Sequence, residues 1–169
     1  MLKLKSGKKS KRLNESNDLK NEITREFLTA LYDNNVDTVM MLLREGVDPD
    51  LRDENGEPAL MCASWTGQTD MVELLLDAGA DPNIKDMDEG WTSLMVACKE
   101  GHKEIVKELL ETGADPNIVS KQGLTAIAIA ASECDTDIIK MLLQNGAEVD
   151  PNDKLTIDCI VENGLDQFI

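Results

Sequence analysis

An all-α stack of short repeats is the fold class this chain predicts, and three observations carry it. Gly46, Gly79, Gly113 and Gly146 recur at intervals of 33, 34 and 33 residues, and self-similarity at such a period signals an array of stacked units. Two copies are near twins: DMVELLLDAGADPNIK at 70–85 and KEIVKELLETGADPNIV at 103–119. Apolar pairs at helical spacing, Met71-Val72 and Leu75-Leu76 in the first twin, put one buried stripe on a helix of about three turns. Gly79 and Gly113 then supply the left-handed backbone a helix end needs, and Pro82 and Pro116 hold Asp81 and Asp115 extended, so the chain turns away.

A unit of this size cannot bury a core alone, so stacking has to supply the stability. Aromatic residues are 3% of the 169 residues, which suits a thin core of Leu, Ile, Val and Ala between layered helices. No ligand-sized cavity is expected inside it. The net charge of −16 hides an asymmetry: Lys3, Lys5, Lys8, Lys9, Lys11 and Arg12 give the first twelve residues +6, and the remainder carries −22. So acidic a body argues against direct binding to nucleic acid or an anionic membrane and favours basic partners. Cys62, Cys98, Cys134 and Cys159 show no C-x-x-C spacing and read as small core residues in a reducing compartment. The longest apolar run, 126–131, is far short of the ~20 residues that span a bilayer. The lysine-rich start lacks the apolar core of a signal peptide, and a soluble cytoplasmic or nuclear protein is expected.

Residues 1–21 offer no hydrophobic periodicity and read as a basic disordered tail, in which 8–12 is either a nuclear import signal or a solvated charge run. The repeat domain is expected over 22–169. Its first repeat, 22–52, buries Ile23, Phe27, Ala30 and Leu31 on one helix and Val39, Leu42 and Leu43 on a second at 36–45, with the character of an N-terminal cap. The second repeat, 53–85, opens DENGEPALMCASWTG, with Gly56 in a turn and Pro58 in the first turn of a helix, where it sacrifices no hydrogen bond. The third, 86–119, has Thr92 as helix N-cap and one extra hairpin residue between Asp86 and Gly90, so its tip should protrude. In the fourth, 120–150, Gly123 and Thr125 repeat the turn and cap, and Cys134 replaces the inter-helix glycine of Gly67 and Gly101, which should strain that loop. Residues 151–169 match only a first helix and read as a partial C-terminal cap or as a truncated repeat.

These residues resemble the ankyrin repeat family, whose unit is a turn Asp-x-x-Gly-x-Thr-Pro-Leu-His-x-Ala, two antiparallel helices and Gly-Ala-Asp-x-Asn. The resemblance covers about 22–169 and is strongest in GEPALMCASWTGQTDMVELLLDAGADPN (56–83) and GWTSLMVACKEGHKEIVKELLETGADPN (90–117). Met61, Met95 and Ala128 stand where the family has histidine, which removes a loop-pinning hydrogen bond, and only the fourth repeat loses its inter-helix glycine. The resemblance implies an all-α ankyrin-repeat solenoid of four repeats and a partial cap, non-enzymatic and monomeric on its own, whose hairpin tips and first helices form a concave protein-binding groove. It names no partner.

Carried over residue by residue, the family's contact positions are Tyr32, Trp65, Lys99 and Ser132 at the ends of the first helices, and Glu57, Trp91 and Leu124 just after the turn glycine. Three of five aromatics fall there in register, and clustered aromatics on a solvent-facing surface are typical of binding hot spots. The competing reading has each ring covering a neighbouring hairpin. Around them stand Asp33, Asp53, Glu54, Asp86, Asp88, Glu89, Glu100 and Glu133. Aromatics rimmed by carboxylates suit Lys or Arg, whose cation pairs with the acids while resting on an indole face.

The expected partner-binding residues are therefore Tyr32, Glu57, Trp65, Asp88, Glu89, Trp91, Lys99 and Leu124, and the expected partner is a protein with a basic segment. The alternative is an acidic inhibitor or decoy that masks a basic, nucleic-acid-binding surface of another protein. Catalytic, cofactor and metal residues are not expected. The sole histidine, His102, stands where the family bonds it to loop backbone, and no third group orients it toward Cys98. One histidine and scattered cysteines do not make a zinc site. The Asp-rich turns lack the spacing of a calcium loop, and no phosphate-cradling glycine motif occurs.

Overall fold

The computed structural model describes residues 20–168, so the basic tail lies outside the described residues up to 19. Lys20 and Asn21, expected to end that tail, already belong to the first helix, α1, over residues 20–32. Two compact units divide between Asp48 and Pro49. In the first, α1 buries Phe27, Ala30 and Leu31, and α2 (Val36–Arg44) buries Val39 and Leu42. Asn35 caps α2, its side chain accepting from Thr38 N. Ahead of it Asn34 takes φ 52°, so the first repeat also makes its inter-helix loop without glycine. Asparagine, like glycine, enters the left-handed region at little cost.

The second unit repeats one pattern. A hairpin leads into a first helix, a loop of two or three residues follows, and a second helix returns: α3 (Ala59–Trp65) with α4 (Thr69–Asp77), α5 (Ser93–Glu100) with α6 (Lys103–Glu111), and α7 (Ala126–Ser132) with α8 (Thr136–Gln144). Then comes α9 (Lys154–Glu162) and a single 3-10 turn, Asp166–Phe168. First helices pack on one another, α3 on α5 on α7 on α9, and second helices form the other layer, α4 on α6 on α8. Small residues let the first layer close: Ala59, Ala63, Ala97 and Ala130 are fully buried. Between the layers lie Leu60, Met71, Leu75, Leu94, Ile105, Leu109, Ile127 and Ile138. Each such side chain contributes roughly 1.5–3 kcal/mol by leaving water. Met61 and Met95, in place of the family's histidine, are buried too, so apolar packing fills those positions.

Caps follow the sequence closely. Thr92 and Thr125 accept from Met95 N and Ala128 N, both at 3.4 Å. Pro58 is the N-cap residue of α3 with ψ 146°, one position before the helical turn expected for it, because the hairpin bridge Arg52–Pro58 keeps it extended. At the helix end Gly79, φ 92°, donates to Leu76 O and Ala80 donates to Leu75 O, at 2.9 and 3.0 Å. These two bonds satisfy carbonyls that α4 leaves open.

The loop after each second helix explains the Gly-Ala-Asp-Pro-Asn motif. Asp81 Oδ1 accepts from Asn83 N within the loop. Asn83 then reaches the next repeat, its Oδ1 accepting from Asp115 N at 2.8 Å and its Nδ2 donating to Gly113 O at 3.3 Å. Asn117 does the same to Glu148 N and Gly146 O, and Asp50 accepts from Asp81 N. A polar ladder thus holds the repeats at one spacing.

Two thiols depart from the expectation that all four are core. Cys62 and Cys98 are buried, but Cys134 is exposed and Cys159 half-buried. Cys134 occupies the loop position of Gly67 and Gly101 at φ 58°, and α9 has no further helix on its outer side among the described residues. Leu155 and Val161 of α9 are 61% and 54% exposed for the same reason.

Candidate functional site

Hairpin tips and first-helix ends line one edge of the second unit. The tips are closed by Asp53 N to Glu57 O, Asp86 N to Trp91 O and Ser120 N to Leu124 O, at 2.9, 2.9 and 2.8 Å. An aspartate builds the first two: Asp53 Oδ1 accepts from Asn55 N and Glu57 N, and Asp86 Oδ1 from Glu89 N and Gly90 N. The extra residue of the third repeat lies inside this second tip. Its Met87 is 68% exposed and leans over Gly56, where a β-carbon would come within 2.9 Å of the Met87 sulfur.

Neighbouring tips are joined by cations donating to backbone carbonyls. Arg52 Nη1 donates to Gly56 O and Nη2 to Lys85 O, at 2.6 and 3.0 Å. Lys85 Nζ donates to Val119 O at 2.8 Å. Lys121 Nζ donates to Met87 O and Asp88 O, at 2.7 and 2.8 Å, and Lys121 N to Glu89 O. The Glu89 carboxylate meets the Gln122 amide. None of the ion pairs among the described residues includes Glu57, Asp86 or Asp88. Glu57 records the consequence: burial first, then the charges of Asp53 and Asp86 and, more weakly, Asp88, hold its carboxyl above the usual carboxylate range, against a hydrogen bond from the Cys62 thiol.

The expected contact residues separate on this surface. Trp65, last residue of α3, is 51% exposed, and its carbonyl lies 3.4 Å from His102 Nε2. That ring fills the space beside Gly67, where a β-carbon would come within 2.8 Å of it. Trp91 is half-buried, with Nε1 shielded and without a hydrogen-bond partner. Sequence reasoning treated the two tryptophans alike, because register says which edge a residue lies on but not how deeply its ring packs. Lys99 is paired with Glu133, Leu124 is exposed, and Asp88 and Glu89 are exposed on the tip. Tyr32 belongs to the first unit, where it is 52% exposed.

Asp53, Glu57 and Cys62 bring ligand-type atoms within 4.8 Å of one another. Asp53 is already engaged by its own hairpin, and the grouping carries no metal assignment. Burial pushes the Cys98 thiol far up, which leaves it inert as a nucleophile. No helix among the described residues is long and apolar enough to cross a membrane.

A sequence profile described as ankyrin repeats (3 copies) matches residues 9–86 and again 84–153, which together span most of the chain. The chain belongs to the ankyrin repeat family. An array of ankyrin repeats is a protein–protein interaction module. No curated protein matches the chain.

Proposed function

We propose that the ankyrin repeats of the second unit bind a basic segment of another protein along the hairpin tips, with Trp65 as apolar anchor and Glu57, Asp86, Asp88 and Glu89 as the acidic rim. The observation that carries this is how charge is used at the tips. Arg52, Lys85 and Lys121 donate to carbonyls, so they join the repeats, and none of the ion pairs among the described residues includes Glu57, Asp86, Asp88 or Glu89. A lysine or arginine from outside is the group that would complete them. The exposed face of Trp65 offers such a side chain an aromatic surface, and Leu124 extends the apolar strip. Trp91 supports the tip from beneath, and the Lys99–Glu133 pair borders the strip in the next two repeats.

The test is a titration of the full chain with a lysine- and arginine-rich peptide, followed by tryptophan fluorescence and calorimetry. A chain this acidic attracts any polycation, so location is what has to be measured. Glu57→Gln with Asp88→Asn should weaken binding at least about tenfold, whereas neutralising Glu104 and Glu111, exposed acids of α6, should change it less than about twofold after salt correction. Equal losses from the two pairs would mean diffuse attraction and would refute a defined site.

A further inference from the structure

The two thiols outside the core lie on neighbouring repeats at one end of the second unit. Cys134 is exposed in the loop between α7 and α8, at φ 58°. A β-carbon in that conformation is strained, and glycine serves the same position in two other repeats. Cys159 lies half-buried on α9, which packs against α7.

Repeat geometry says where the Cys134 side chain points. A β-carbon built on the equivalent Gly67 is aimed at the ring of His102, the residue that follows the loop glycine of the next repeat. The residue in that position after α9 is Leu165, which follows Gly164 at φ 68°. The Cys134 sulfur is therefore carried toward the turn that closes α9. On that turn Asn163 Nδ2 donates to the Cys159 sulfur at 3.8 Å, so the second sulfur lies toward the same turn. The electrostatics agree. Burial, and next the charge of Cys134, push the Cys159 thiol above its usual range, an influence that decays with separation.

We propose that Cys134 and Cys159 are an oxidation-sensitive pair whose disulfide fastens α9 to the loop of the fourth repeat. The oxidant is a peroxide. The Cys134 thiolate, the more exposed, attacks one peroxide oxygen; the O–O bond breaks, hydroxide leaves, and a sulfenic acid forms. Once Cys134 is an uncharged sulfenic acid, the thiolate that opposed ionisation of Cys159 is gone. Cys159 then gives its proton to water, its sulfur attacks that of Cys134, the S–O bond breaks and a second hydroxide leaves. Both hydroxides take up the protons released, so two thiols and one peroxide become one disulfide and two waters. Cys62 and Cys98, both buried, stand outside this chemistry. The pair is independent of what occupies the hairpin tips.

The full chain, treated with one equivalent of hydrogen peroxide and then alkylated, tests the proposal by intact mass, peptide mapping and thermal melting. The expected result is a monomer lighter by two hydrogens, a dithiothreitol-sensitive peptide joining residues 134 and 159, and a thermal midpoint raised by roughly 5 °C. Cys134→Gly, which the loop accommodates, should abolish all three, and Cys159→Ser should leave a sulfenic acid at Cys134 that dimedone traps. A bridge needs Cα atoms within about 7 Å. If wild-type Cys134 advances to sulfinic acid while Cys159 stays alkylatable, or the link forms between two chains, the sulfurs are too far apart and the proposal fails. Loss of two hydrogens from Cys134→Gly would place the disulfide elsewhere and refute it as well.

Discussion

Trp65 and Trp91 lie along one edge of the second unit, yet differ in what removing them should do. Trp65 exposes half its surface, so Trp65→Ala should move the thermal midpoint little, within ~1 kcal/mol of stability, while weakening a bound basic peptide by ~2 kcal/mol. Trp91 is packed, and its shielded indole N–H has no partner. Trp91→Ala should cost about 2 kcal/mol from lost burial, whereas Trp91→Phe keeps most of the packing and removes a desolvated donor, so it should be neutral or stabilising. Denaturant melts of the two Trp91 variants decide this, and a greater loss from Phe than from Ala would refute it. Cys134 is a second residue-scale case. Glycine there removes a left-handed β-carbon worth roughly 1–2 kcal/mol of strain and adds unfolded-state freedom worth roughly 0.5–1. In reducing buffer Cys134→Gly should therefore stabilise modestly, and a lower midpoint would show that the loop is unstrained.

Loops and tips show which parts of an element were readable. Thr92 and Thr125 were legible as caps because a short polar side chain before an apolar helical run has one good use. The bridging role of Asn83 and Asn117 was not, since a partner about 30 residues away leaves no local trace. Asn83→Ala removes one acceptor and one donor across repeats; at about 1 kcal/mol per bond in an exposed setting, the loss should be about 1–2 kcal/mol in a urea melt. Glu57 gives the tips a pH signature. Its carboxyl is held above its ordinary range, so the folded chain binds its proton more readily than the unfolded chain. The ionised form therefore destabilises the fold once pH exceeds the folded-state value, and this penalty vanishes below the ordinary carboxylate range, about pH 4. Glu57→Gln should raise the midpoint at pH 7 and match wild type near pH 4. A constant difference across that window would mean that burial and neighbouring acids do not act on Glu57.

Across the second unit, the fold was legible because its information is periodic: the same glycine, helix and Asp-Pro-Asn loop recur, and each copy vouches for the others. The partial cap at 151–169 was legible as the place where the pattern stops; which of its side chains would lose their cover was not. Cys159 and Cys62 occupy equivalent positions in their helices, yet only Cys62 has a full repeat stacked beyond it and is buried, so composition alone called both core. Stability should be graded by the same cause. First helices α3, α5 and α7 each pack on a following one, but α9 exposes Leu155 and Val161 and contributes only Thr156, Ile160 and the following Leu165 as buried residues. Regions with few buried apolar groups open at lower free energy than the whole. Amide exchange in reducing buffer should therefore be fastest in α9 and slowest in α5 and α6, with α9 protected at least about tenfold less, equivalent to ~1.4 kcal/mol by the same-temperature relation between rate ratio and free energy. Leu155→Lys with Val161→Glu, which removes exposed apolar surface but no buried contact, should leave that ranking intact. Protection of α9 equal to that of α5 would mean the outer face is covered in solution, and oligomer size measured on the same sample would then show whether a second copy covers it.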